Sequence, residues 1–210
     1  MGIAERKERE KQVRKDEIIA AAEKIFFLKG PENATMDEVA EMAELSKGTL
    51  YLYFKNKEEL HREVAFKTSK NLTDMAVKRN EKARDAVEKL VTLGRVLIDY
   101  TRSNPGYLKI ILFQKPSDFE RLNINREEIK QAIYTESPIR LVLDYVKEGI
   151  DQHLIRSDIN PFIIANTLWS QFLGVLELAF DNKGLLELVE MDSNVLFENH
   201  FELVLNGIKK

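Results

Sequence analysis

The chain has 210 residues, 44% of them hydrophobic and 9% aromatic, enough to bury a sizeable core without covalent staples. It contains no Cys, which excludes disulfides, zinc–thiolate sites and thiol nucleophiles. The net charge of −3 is unevenly spread, because residues 1–15 hold Arg6, Lys7, Arg9, Lys11, Arg14 and Lys15 against Glu5, Glu8 and Glu10. A basic N-terminal arm on an otherwise acidic chain fits a DNA-facing end and a solvated, disordered tail equally well. No apolar h-region opens the sequence, and no apolar run approaches the roughly 18 residues needed to span a bilayer. A soluble, cytoplasmic protein with no membrane partner is therefore expected.

Apolar residues recur at the helical period throughout, and no run of strict alternation marks a strand, so the predicted class is all-α with about nine helices. The first helix carries Ile18, Ala21, Ala22, Ile25 and Phe26 on one face, with Gly30 placed to cap its C-terminus. Thr35 with Glu38 forms a capping box before Met36, Val39, Ala40 and Ala43. After a break at Glu44-Leu45-Ser46, Ser46 caps a third helix that buries Leu50 and Phe54. Asn56 and Glu59 open a fourth, through Leu60, Val64, Leu72 and Met75.

Ala86, Val87, Leu90, Leu93, Leu97 and Ile98 mark the next helix, ended by Asn104-Pro105. A short helix from Pro105 to Phe113 stops before Pro116, and another is expected around Glu127 to Tyr134. Ser137-Pro138 starts a helix to about Ile155, and Asn160-Pro161 starts one through Ala165, Leu168, Trp169, Phe172, Leu173, Leu176 and Phe180. The last carries Val195, Leu196, Phe201, Val204 and Ile208. The expected domains are residues 1–60 for the arm and DNA-binding domain, 61–82 for a linking helix, and 83–210 for a larger bundle.

Residues 35–54 have the form of a helix-turn-helix, two short helices joined by a tight turn, the second polar on its outer face. With Leu50 and Phe54 pinned inward, Lys47, Thr49, Tyr51 and Tyr53 are left to face outward. Between Leu45 and Lys57 stand Lys47, Lys55 and Lys57 and no carboxylate, as a polyanionic partner requires. Gly48 lets backbone N–H groups come close to a phosphate.

In these pieces the first 60 or so residues resemble the tetracycline-repressor (TetR) family. The resemblance is carried by Ile18-Ile19-x-Ala21-Ala22-x-x-Ile25-Phe26-x-x-x-Gly30, by Thr35-Met36-x-x-Val39-Ala40-x-x-Ala43, and by the run from Leu45 to Leu60. It implies a homodimer bound to a palindromic DNA operator, with a divergent C-terminal domain that binds a small-molecule effector and releases the DNA. By position, it implies that Thr35 and Tyr53 hold phosphates and that Ser46, Lys47 and Gly48 sit at the groove edge. Thr49 and Tyr51 would lie nearest the base edges, and Lys57 would clamp a phosphate. Two departures stand out. Glu44 occupies a turn position where Gly is common, so an unstrained turn is expected to form differently. Leu52 replaces a common aromatic and leaves a thymine-methyl contact open.

Beyond residue 84 no motif of comparable strength occurs. The aromatic residues Tyr100, Tyr107, Phe113, Tyr134, Trp169 and Phe172 are candidates for lining an effector cavity, against a background of ordinary core packing. Few charges fall on the same faces, apart from Arg95 and Asp99, which are spaced to pair with each other. An apolar wall with Trp169 and Gln171 as polar groups points to a hydrophobic effector. Glu58-x-x-His61 has the spacing of a di-iron ligand pair but occurs once, so a surface helix is the expectation and no metal or cofactor is expected. With no Gly-rich phosphate loop and no nucleophile elbow, the chain reads as no enzyme. An all-helical enzyme would need a polar catalytic cluster, and a helical scaffold would lack the Lys47, Tyr51, Tyr53 and Lys57 set. The reading is a transcriptional repressor.

Overall fold

The computed structural model describes residues 2–112, 127 and 137–210 of the chain. Ten helices lie among them: α1 (Ile3–Lys29), α2 (Met36–Met42), α3 (Lys47–Tyr53), α4 (Lys57–Asn80), α5 (Ala86–Ser103), α6 (Tyr107–Leu112), α7 (Pro138–Asp151), α8 (Pro161–Phe180), α9 (Lys183–Leu188) and α10 (Ser193–Ile208). The described residues contain no strand, only an isolated bridge between Ile155 and Lys209. The chain divides into two compact units. One holds the first 68 residues together with residues 105–112, and the other holds Ser69–Asn104 and the described residues from 127 onward. Phe113, Tyr134 and all but Glu127 of the short helix expected around Glu127 to Tyr134 lie outside the described residues.

The N-terminal unit is built on the apolar stripes read from the sequence. Ile18, Ala22, Ile25 and Phe26 of α1 meet Met36, Val39 and Ala40 of α2, Leu50 and Phe54 around α3, and Leu60 and Val64 of α4 in one buried cluster. Burying Leu50 completely contributes about 2 kcal/mol. The short helix α6, late in the sequence, belongs to this unit and packs on α1. Its entry depends on Gly106, whose φ is +91° and where a Cβ atom would stand 2.3 Å from the Phe27 carbonyl oxygen. His61, expected on a surface helix, is buried instead: its Nε2 lies 2.9 Å from the Ile110 carbonyl oxygen, and its ring is 5.8 Å from that of Phe26.

In the second unit α8 packs on α5, α7, α9 and α10, and α5 also packs on α7. Helix α7 stops at Asp151, short of the expected Ile155, yet Ile155 is still buried. Helix α9 has no counterpart among the expected elements. Met75, expected on the buried face of α4, is exposed, and its neighbour Ala76 is buried in its place. Helix α8 also corrects an expectation. Its 20 residues hold an 18-residue window of mean hydropathy 1.4, long and apolar enough by composition to cross a membrane, and only 33% of that window is buried. Arg95 and Asp99 do not pair with each other: Arg95 reaches Glu198 at 3.3 Å and Asp99 accepts from Arg79 at 2.7 Å.

Three helices end in the same way. After α2, α7 and α9 the residues Glu44, His153 and Glu190 adopt left-handed φ values of 55°, 59° and 52°. In each case the next residue (Leu45, Leu154 or Met191) donates its N–H to a carbonyl five back, at 2.8, 2.9 and 2.9 Å. This is the Schellman arrangement, which normally favours glycine at the left-handed position. The turn at Glu44 therefore takes the left-handed conformation that glycine favours, held by a non-glycine at the cost of some strain. Glu44→Gly should raise unfolding stability by about 1 kcal/mol, as left-handed strain is relieved at an exposed site. Chemical denaturation of both proteins checks this, and an unchanged or lower midpoint would refute it.

Candidate nucleic-acid interface

Helix α3 is set by its cap and its one buried residue. The Ser46 Oγ accepts the Thr49 N–H at 3.1 Å and lies 2.8 Å from the Thr49 hydroxyl, while Leu50 is wholly buried. With the buried edge fixed, Lys47, Gly48, Tyr51 and Leu52 are exposed, Tyr51 at 50% and Leu52 at 82%. Thr49 and Tyr53 are half-buried, and Tyr53 packs against the core cluster. Leu52 is thus the most outward apolar side chain of the helix. A Cβ on Gly48 would meet only the Ser46 Oγ, at 3.9 Å, so packing within the protein does not require glycine there.

The cations of the motif are partly engaged. Lys47 pairs with Asp37 at 2.5 Å, with both groups exposed. Lys57 donates to the carbonyls of Glu32 and Ala34, each at 3.0 Å. That ties the start of α4 to the loop after α1 and uses two of the three donors of the ammonium. Thr35 is exposed, and its hydroxyl donates to the Glu38 carboxylate at 2.8 Å, completing the expected capping box. Glu38 also bonds the Lys29 ammonium. These contacts, the Lys29 hydrogen bond first and the Thr35 bonds next, hold the Glu38 carboxyl at about 2, well below the usual carboxylate range.

The bound form of Glu38 belongs to the folded state. Its contribution is fully present above pH 4.5, the ordinary carboxyl value, and is lost as pH falls from there towards 2. Wild type should therefore lose stability relative to Glu38→Gln across that window, read as thermal midpoints from pH 6 down to 2.5. Parallel profiles would show that the capping contacts have no such linkage.

The residues considered for an effector are only partly brought together. Trp169 and Phe172 of α8 line an apolar seam in the C-terminal unit with Leu93 and Leu97 of α5 and His200 and Phe201 of α10. Its interior space is about 60 Å³. Phe172 stacks on Phe201 at 5.5 Å between ring centres, and its ring is tilted against that of His200 at the same distance. Burial pushes the His200 imidazole down, favouring its neutral form. Tyr100 is buried but does not line this seam, Tyr107 lies in the N-terminal unit, and Gln171 is exposed. His200 is the polar member that sequence reasoning missed, being one of three scattered histidines. Among the described residues no group of His, Asp or Glu is arranged to hold a metal.

A capped two-helix unit that presents an exposed, carboxylate-free second helix from a packed three-helix core defines a helix-turn-helix regulator. Residues 18–64 match the family model described as bacterial regulatory proteins, tetR family. The chain is 29% identical over 148 residues to the uncharacterized HTH-type transcriptional regulator YhgD of Bacillus subtilis (strain 168), covering 70% of this chain and 73% of that one. It is 30% identical over 96 residues to the HTH-type transcriptional regulator TtgR of Pseudomonas putida, covering 46% and 45% of the two chains. Among solved structures, the transcriptional regulator FadR from Bacillus subtilis in complex with stearoyl-CoA superposes with a TM-score of 0.71 at 18% identity, over 91% of this chain and 98% of that one. Residues 18–64 thus carry the DNA-binding part of a TetR-type regulator, and the curated relatives it resembles are transcriptional regulators.

Proposed function

We propose that this regulator is a repressor that binds a palindromic operator as a homodimer and is released from it by a small hydrophobic effector. The observation that carries the DNA part is the outer face of α3, where Gly48, Tyr51 and Leu52 are exposed on a helix whose other side is fixed in the core. Tyr51, Thr49 and Leu52 are assigned to base edges, the last by contact with a thymine methyl. Thr35, Ser46, Lys47, Gly48, Tyr53 and Lys57 are assigned to the sugar–phosphate backbone. Phosphate would displace the exposed Asp37 from Lys47, an exchange that costs little because surface pairs contribute about 0–1 kcal/mol. A DNA partner in turn places the protein in the cytoplasm. The test is selection from a random DNA library. Tyr51→Ala should recover a different consensus from wild type, and an identical consensus with unchanged affinity would remove Tyr51 from base reading.

Dimerisation rests on the outer faces of α8 and α10. The apolar residues of these two helices divide: Phe172, Leu176 and Phe197 are buried inside the protomer and are unavailable to a partner. The exposed apolar positions are Phe162, Ile163 at 60%, Val195 at 56% and Leu203 at 74%. Two such helices from each of two copies would bury these residues in a four-helix contact with the two-fold symmetry of a palindrome. Light scattering at micromolar concentration should give twice 24.3 kDa, and a monomer mass alone would exclude the arrangement.

The effector reading is supported by the apolar lining of the Trp169 seam and by the stearoyl-CoA bound to the fold-related FadR protein. The seam as it stands is far smaller than the roughly 300–1,000 Å³ of ordinary ligand sites. Ligand entry would therefore separate α8 and α10 from α5, and a coupling of about 1–3 kcal/mol would lower operator affinity several-fold or more. Acyl or aromatic compounds should quench the single Trp169 and release bound DNA. Release by polar metabolites alone would refute a hydrophobic effector.

A further inference from the structure

Helix α1 is much longer than the domain beneath it. It runs unbroken for 27 residues from Ile3, but its first deeply buried side chain is Ile18. The preceding 15 residues form an overhang of about 22 Å at 1.5 Å per residue, with residues 4–14 all exposed. A solvated helix of this length is marginal by itself. Here it is the continuation of a packed helix and carries the local pairs Arg6–Glu10 at 2.8 Å, Gln12–Asp16 at 2.9 Å and Arg14–Glu17 at 2.7 Å.

The direction of its charges is informative. Positions 7, 11, 14, 18 and 25 share one helix face by their spacing. Ile18 and Ile25 put that face in the core, and Lys7, Lys11 and Arg14 continue it where the core has ended. Lys15 shows where the face points, since its ammonium lies 5.8 Å from the centre of the Phe54 ring and 3.1 Å from Glu63. Phe54 is the residue that ends α3. Tyr53, the last residue of α3, closes an open cleft against Arg6, Lys7, Arg9, Glu10, Lys11, Val13, Arg14 and Glu17 of α1. The cleft holds five cations and two carboxylates, and each carboxylate is already paired with an arginine of α1, Glu10 with Arg6 and Glu17 with Arg14.

We propose that the overhang of α1 is a second DNA-contacting element, in which Lys7, Lys11 and Arg14 follow the sugar–phosphate backbone beside the groove occupied by α3, with Tyr53 closing on the same strand. The inference rests on the DNA-binding reading above and extends it to residues outside the helix-turn-helix. A phosphate backbone suits the cleft because its cations are spaced along about two helical turns, its walls carry no deep pocket for a compact anion, and its floor is continuous with the reading helix. Such contacts strengthen binding on every sequence and increase its salt dependence, without adding base preference.

The test uses the full chain with Lys7→Gln, Lys11→Gln and Arg14→Gln combined, since glutamine keeps the helical propensity. Affinity for a duplex selected by wild type, and for an unrelated duplex, is measured by fluorescence anisotropy across a potassium chloride series. The slope of log affinity against log salt should fall by about two to three units, at roughly 0.9 for each phosphate that is no longer neutralised. The fall should be the same on both duplexes, with the thermal midpoint unchanged. Deleting residues 2–11 should reproduce most of the effect. If wild type binds and the variants give superimposable slopes, this proposal is overturned and the DNA-binding reading stands. If wild type binds no duplex at any salt, both fall. Unchanged slopes together with loss of binding to phosphatidylglycerol vesicles would assign the helix to a lipid surface instead.

Discussion

The DNA-binding unit depends on the burial of Leu50 and Phe54. Helix α3 has seven residues, well under the length at which a helix holds itself together in water. It exists because its one inward face is locked among Ile18, Ala22, Val39 and Leu60, because Ser46 caps its start, and because Phe54 stops it in the core. Every outward side chain takes its direction from that anchor. Rotation of α3 by a fraction of a turn would bring Leu50 out and turn Tyr51 and Leu52 away from any partner. The exposed face of α3 is thus specified by the side chains opposite to it.

Charge is handled in the same unit by local pairing rather than by bulk excess. Lys29 is bound to Glu38, Lys47 to Asp37, and Lys57 to the carbonyls of Glu32 and Ala34. The last of these fixes the loop between α1 and α2 against the start of α4, so one lysine both shapes the scaffold and presents a donor. The carboxylates near the motif lie on α2 and its turn, while α3 has none. Basic side chains in surplus are found on the overhang of α1, where residues 4–14 are all exposed.

The C-terminal unit divides its apolar residues between two uses. One set closes the seam around Trp169, Phe172 and Phe201, where Gly94 is required because a Cβ would stand 2.5 Å from the Phe201 ring. The other set, including Ile163 and Leu203, remains on the outside of α8 and α10. Exposed apolar residues on these helices exceed what a helix buried on one face alone needs. The high mean hydropathy of α8 goes with exposed apolar residues such as Phe162 and Ile163.

The sequence by itself determined the local events. The Thr35–Glu38 capping box, the stripe from Ile18 to Phe26, the placing of Leu50 and Phe54, and the helix starts at Pro138 and Pro161 all follow from contacts within a few residues, and these reappear where expected. The helix-turn-helix was legible for that reason, since it spans only 20 residues and each of its signals is local. Tertiary structure decided whatever depends on residues far apart. Periodicity marks Phe172 and Ile163 alike as apolar, and only packing shows that one is inside and the other outside. It placed His61 against Ile110 and α6 on α1, contacts across 49 or more residues that no window of sequence contains. It also made the arm a helix whose cationic face turns toward Tyr53, because a helix already fixed by its core at Ile18 extends backward at the small cost of propagation, whereas an isolated charged segment would have to nucleate one.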